Sequence, residues 1–380
     1  MTSEKALLDR AIKATGLSDF GDDGFRVGLR VLLRSLASSG VPATQSDAML
    51  AAWQRNLETR LKLVDHRNRH PEIAFQEIDG PLVVMGLPRT GTTALVDLLA
   101  QDPAARAPLQ WETANLFPLA ERATWADDPR IEALEARFRA EAPTSPIVAS
   151  GMHIFGARLP DECNSFLGLD FWSPNLAVGT LLPEYVEWLR FTRPERPYHF
   201  HKSILQHLQT GGPAGRWVLK SPFHCFATAG LVAEYPNAML VQTHRDPVEQ
   251  LASNAGIVSL IRGYGPDDPR RAATGREQAA QWGTGMQRCL ADRADPVLNA
   301  RILDLSHREL FRDPLAAMQK VYDHFGLPFT AEAEQAARAW LSNPAQHKSS
   351  IRFTLADFGL TEDEVDAAFG PYRERFAEYF

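Results

Sequence analysis

The stretch PLVVMGLPRTGTTALVDLLA, Pro81 to Ala100, constrains this chain more than any other. A short apolar run meets a glycine, then a loop carrying a proline and an arginine, then a second glycine, two threonines and an apolar helical pattern. That order reads as strand, tight loop and helix, the opening unit of a parallel α/β fold. Gly86 and Gly91 stand at the spacing of the glycines in an ATP-binding loop, and Thr93 stands at its hydroxyl position, but Thr92 occupies the place of the lysine. Glycines let the backbone turn and approach a ligand closely. Amides of Gly91 to Thr93, at a helix N-terminus, favour an anion. Thr90, Gly91, Thr92 and Thr93 are therefore expected to cradle a phosphate that needs no β/γ-phosphate lysine, with the guanidinium fork of Arg89 beside it. The competing reading is a tight turn with an incidental arginine.

Further apolar runs follow, RWVLK, AMLVQT and RILDL, each leading into a loop and a helical stretch. Such runs predict strands of a parallel sheet buried on both faces. The fold class expected is α/β: a P-loop-like parallel sheet flanked by helices, with a helical N-terminal cap and helical insertions. Residues 1–78 show only helical patterns. The α/β domain is expected over 79–380, with a helical insert at about 104–214. TEDE predicts a capping box, Thr361 with Glu364, at the start of the last helix.

Two strand ends add cations to the carboxyl edge of this sheet, where α/β folds bind ligands. Lys220 closes RWVLK. Arg245 follows AMLVQTH, with Ser253 eight residues later in the next helix, and the two are placed to meet a second phosphate. A salt bridge with Asp246 or Glu249 is the competing use of Arg245.

The formal net charge of −7 argues against a nucleic-acid binder held by bulk positive charge, so an anionic ligand must meet a local basic cluster. Three scattered cysteines form neither a disulfide framework nor a metal-ligand spacing, which points to a reducing compartment. His199 and His201 point to different faces of a helix and suggest no metal. The N-terminus does not read as a signal peptide, and no apolar run reaches membrane-spanning length, so a cytoplasmic protein is expected. A homo-oligomer is compatible with the sequence.

These motifs together resemble the PAPS-dependent sulfotransferases, in particular the bacterial branch with a PRTGTT loop, related to tyrosylprotein sulfotransferases. GLPRTGTT resembles the 5′-phosphosulfate loop, and THRDPVEQLAS the 3′-phosphate segment carried by Arg245 and Ser253. LKSPFH resembles the segment whose lysine contacts the sulfonyl bridge. LSHRELFRDP resembles the stretch whose aromatic residue packs near adenine, with His307 in place of the usual tyrosine. The resemblance covers roughly residues 82–355. It implies 3′-phosphoadenosine 5′-phosphosulfate (PAPS) as cosubstrate, 3′,5′-ADP (PAP) as product and no metal. Arg89 and Lys220 would stabilise the leaving phosphate. In this branch a glutamate shortly after the first crossover helix serves as base, and Glu112, 23 residues after Arg89, matches it. His224 is the rival base. A late loop of the family closes over the cosubstrate, which nominates His347, Lys348 and Arg352; a solvated basic turn is the alternative there.

The acceptor expected is a small, hydrophobic molecule bearing a hydroxyl or amine, met by an insert containing His153, Asp161, Glu162 and Trp172, together with Trp111 and Trp188. A carbohydrate is an alternative, and the aromatic residues could equally be core. Two other classes stay open. A P-loop kinase or NTPase would use ATP and Mg²⁺, with Asp304 of RILDL as the metal-binding carboxylate. A non-catalytic nucleotide-binding protein would bind without transfer.

Overall fold

In the computed structural model, which describes residues 2–192, 196–343 and 351–380, the chain forms two compact units. One comprises Met1–Ile78, Glu112–Ala126 and Cys163–Pro213; the other comprises Asp79–Trp111, Asp127–Glu162 and Ala214–Phe380.

The second unit is built on five parallel strands: β1 (Leu82–Gly86), β2 (Ala105–Arg106), β3 (Arg216–Lys220), β4 (Met239–His244) and β5 (Ile302–Ser306), in the order β2-β3-β1-β4-β5. Leu82 lies opposite both Val218 and Met239, and Leu240 opposite Ile302. All five residues of β1 are buried, as befits a strand covered on both faces. One face is closed by the helices Thr92–Leu99, Pro314–Phe325 and Ala331–Leu341. Leu95, Leu98, Met318 and Val321 pack there with Val84 and Val241. Truncating a buried leucine such as Leu95 to alanine would cost about 2–5 kcal/mol. From β1 the chain crosses to one edge, and after β3 it crosses to the other. That reversal falls between β1 and β4, and the carboxyl ends of strands at such a switch point are where α/β sheets bind ligands.

The other unit is helical. Its helices include Glu4–Thr15, Phe25–Ser38, Ala43–Arg69, Pro183–Phe191 and Arg196–Gly211. Gly16 ends the first with φ 73°, its amide donating to the carbonyl of Ile12. Arg60 is wholly buried. It pairs with Asp170 at 2.8 Å, donates to the carbonyls of Phe20 and Asp22, and lies over the rings of Phe25 and Phe200.

The TEDE capping box forms as expected, with Thr361 and Glu364 exchanging bonds. In the helix Arg196–Gly211, His199 is exposed while His201 is buried. No helix among the described residues is long and apolar enough to cross a membrane.

Candidate active site

Gly86 ends β1 with φ 141°; a Cβ there would stand 2.5 Å from the carbonyl oxygen of Thr243 on β4. The loop and β4 approach so closely that only glycine fits. Thr90 is buried and fixes the turn. Its hydroxyl donates to the Leu87 carbonyl at 2.7 Å and shares a 2.6 Å hydrogen bond with Thr243. Gly91 caps the helix Thr92–Leu99 at φ 93°. Thr92 is buried in its first turn and Thr93 is exposed.

Arg89 sits inside this loop at φ 68°, a left-handed conformation that costs a non-glycine residue about 1–2 kcal/mol. Its Nε donates to the Ser253 hydroxyl at 3.3 Å and its Nη1 to the Met152 carbonyl at 3.2 Å. Arg245 donates to the Arg89 carbonyl at 3.2 Å. Gln250 ties the loop down through the Pro88 carbonyl at 2.8 Å. Burial, and then the charge of Arg245, lower the pKa of Arg89. Among the described residues no carboxylate forms an ion pair with it. Two guanidinium groups and a hydroxyl are thus gathered from two motifs more than 150 residues apart, with the exposed carboxylate of Glu249 3.0 Å from Arg245 Nη2. The arrangement concentrates positive charge and hydrogen-bond donors in one place.

His307 opens the helix His307–Arg312 and packs against Phe311, the ring centroids 4.6 Å apart. Burial first and Arg245 next push its pKa down to about 4, so it is a neutral ring at pH 7.

Lys220 ends β3 and is 2 % exposed. Its Nζ donates to Thr93 Oγ1 at 3.0 Å and to Glu162 Oε1 at 2.6 Å. Asp97, one helical turn beyond Thr93, has its pKa raised to about 6 by burial and moderated by Lys220. His153 is pushed down to about 4 by burial first, then by Lys220. The lysine therefore reaches the same loop as Arg89, on its threonine side.

The other residues named from the sequence are placed as follows. Glu112 lies in the short helix Gln110–Ala114 and belongs to the helical unit. It is 2 % exposed and accepts a hydrogen bond from the Trp125 indole at 2.9 Å. His224 lies in the 3-10 turn Pro222–Phe226 with no exposed surface, its amide donating to the Ser221 carbonyl. Arg352 is exposed and donates to the carbonyl of Ile351. His347 and Lys348 lie outside the described residues. Trp111 and Trp172 are core residues, 0 % and 1 % exposed.

Two features were not read from the sequence. Glu162 was noted only in connection with the acceptor; its pairing with Lys220 spans 58 residues and leaves no local pattern. Asp304 is engaged by Arg293 through two bonds of 2.7 Å and by His244 at 2.7 Å. A carboxylate so occupied is poorly suited to hold Mg²⁺, which counts against the NTPase reading.

A model described as the sulfotransferase family matches residues 81–331. Sulfotransferase STF9 from Mycobacterium avium is similar in structure, with a TM-score of 0.89 and 28% identity, covering 99% of this chain and 97% of that one. STF1 from Mycobacterium tuberculosis H37Rv has a TM-score of 0.82 and 31% identity, over 97% and 99%. A curated relative, omega-hydroxy-beta-dihydromenaquinone-9 sulfotransferase Stf3 of Mycobacterium bovis, is 23% identical over 75% of this chain and 73% of its own length. With its loop, its strand-end cations and a match over most of its length, this chain belongs to the sulfotransferase family, enzymes that pass a sulfonate group from a donor cosubstrate to an acceptor.

Proposed function

We propose that the donor is PAPS and the product 3′,5′-ADP. The observation that carries this is the half-buried Arg89. It is held in a strained conformation without a carboxylate partner among the described residues, and it is bonded to Ser253 beside Arg245. A nucleotide phosphorylated at both ends of its ribose supplies two anions to such a cluster. ATP would bring a triphosphate to a loop that lacks its lysine.

In this reading the amides of Gly91, Thr92 and Thr93 hold the 5′-phosphate, and Arg245 with Ser253 holds the 3′-phosphate. His307 offers a neutral ring to the adenine. The acceptor oxygen attacks sulfur, and the sulfur–oxygen bond to the 5′-phosphate breaks with its electron pair leaving on the phosphate. Lys220 and Arg89 neutralise the charge that grows there. Glu112 takes the acceptor proton, as general base. Both candidate bases are buried, Glu112 2 % and His224 0 % exposed; the resemblance to the PRTGTT branch is what favours Glu112.

For the acceptor we propose a small amphipathic alcohol. Within the helical unit, a cavity of about 430 Å³ is lined by Asn56, Thr113, Asn164 and Leu169, a size suited to a small ligand. A second cavity of about 280 Å³ shares the lining residues Asn175 and Leu176 and is lined also by Met49 and Trp53. Thr113 follows Glu112 directly. The relative named for a hydroxylated menaquinone points to the same class of molecule.

The test is thermal-shift binding. Stabilisation by 3′,5′-ADP without Mg²⁺, exceeding that by ATP with Mg²⁺, supports the reading. The reverse order would return the chain to the nucleotide triphosphatases in mechanism.

A further inference from the structure

The two sides of β4 have different work. Successive residues of a strand point to opposite faces. Thr243 bonds Thr90 of the loop, and Arg245, just past the strand, donates to the Arg89 carbonyl. Gln242 and His244 point the other way, into a buried polar network. Gln242 Oε1 accepts from Arg293 at 2.8 Å. Asp304, opposite Gln242 on β5, accepts from Arg293 and from His244 Nε2. The second ring nitrogen of His244, Nδ1, lies 2.9 Å from the Tyr372 hydroxyl.

The protons in this network can be assigned by chemistry. Asp304 is held down to about 2 by its Arg293 and His244 hydrogen bonds, against the effect of burial, and can only accept. Burial lowers the pKa of His244, so its ring is neutral at pH 7; it donates through Nε2 to Asp304, and its Nδ1 lone pair accepts from Tyr372. Every polar atom of the imidazole is then used, and the ring has one orientation. The helix Glu362–Arg375 and the residues after it complete the grip. His244 stacks on Phe376 at 4.3 Å between centroids, with Tyr379 at 5.1 Å.

We infer that His244 is a positioning residue for donor binding. Clamped between Asp304 and Tyr372, it fixes the end of β4 so that Arg245 is held toward the ribose 3′-phosphate. The end of the chain thereby takes part in nucleotide recognition without touching the nucleotide. The inference rests on the 3′-phosphate role proposed for Arg245.

The experiment compares binding of 3′,5′-ADP and 5′-AMP by calorimetry, since the two differ only in the 3′-phosphate. The unmodified protein should prefer 3′,5′-ADP; no preference would overturn the role of Arg245 itself, a different failure from that of the brace. Tyr372→Phe removes a single hydroxyl and His244→Leu removes both polar contacts. Each should reduce that preference, His244→Leu by roughly tenfold, with 5′-AMP affinity little changed. His244→Gln, which keeps a donor toward Asp304, should restore part of it. If His244→Leu does not fold, Tyr372→Phe and His244→Gln decide the matter. Equal loss of both nucleotides, or an unaltered preference in Tyr372→Phe, would overturn the inference.

Discussion

Arg60 and Arg89 are the same side chain in two opposite situations. Arg60, in the helical unit, is saturated: a carboxylate at 2.8 Å, two backbone carbonyls and two aromatic faces account for its charge and its donors. Arg89, in the sheet unit, has a hydroxyl, one carbonyl and a second arginine beside it. The first arrangement is complete without a ligand, so it can only serve the fold. The second leaves charge to be neutralised, and it stands at strained backbone. A buried cation is a clue to function only when its surroundings fail to finish its coordination.

The predictions follow from that contrast, the largest effect first. Glu112→Gln should lower kcat by about 100- to 10,000-fold, the range of a lost general base. Binding of 3′,5′-ADP should survive, and steady-state kinetics alongside calorimetry would show both. Retention of most of kcat would remove Glu112 from the chemistry. Arg60→Met removes the buried Arg60–Asp170 ion pair and should cost about 3–5 kcal/mol of stability, read from the urea midpoint. A loss below 1 kcal/mol would mean the pair is not a structural anchor. Arg89→Gly should do the reverse. Donor affinity should fall about 10- to 100-fold, the worth of a lost charged hydrogen bond. Stability should hold or rise by about 1 kcal/mol as the left-handed strain is relieved. A less stable Arg89→Gly protein with normal affinity would equate the two arginines and break the comparison.

A separate effect is acid sensitivity. In the helical unit, burial pushes His201 down to about 3 and His207 down to about 4, from 6.5. The unfolded chain binds these protons more readily than the folded one. Stability is therefore undiminished above about pH 7 and falls as pH drops from 6.5 toward 4. Urea midpoints at pH 7 and pH 5 would show it, and His207→Phe should flatten the slope. An unaltered slope in that variant would assign the effect to other groups.

Much of this fold could be read in advance, because parallel strands buried on both faces leave uninterrupted apolar runs. β1, β3, β4 and β5 were all legible that way. β2, Ala105–Arg106, was not, since two residues make no pattern. The tight loop between β1 and the helix Thr92–Leu99 was legible because its glycines, arginine and threonines are contiguous. The pairing of Arg245 with Ser253 was read from helical spacing, but the Ser253 hydroxyl bonds Arg89 instead, while the competing ion pair of Arg245 with Glu249 is present. The partners of Lys220 and the brace behind β4 were hidden. Glu162, Arg293 and Tyr372 reach Lys220, Gln242 and His244 across 58, 51 and 128 residues, and a contact made only by tertiary packing leaves no period in the sequence.

The central claim is that one cluster of cations at the ends of β1 and β4 receives both phosphates of a doubly phosphorylated adenosine. A crystal structure of the protein with 3′,5′-ADP tests it most directly. The account predicts the 5′-phosphate on the amides of Gly91 to Thr93, with Arg89 alongside, and the 3′-phosphate within hydrogen-bonding distance of Arg245 and Ser253. A nucleotide bound away from both arginines would contradict it.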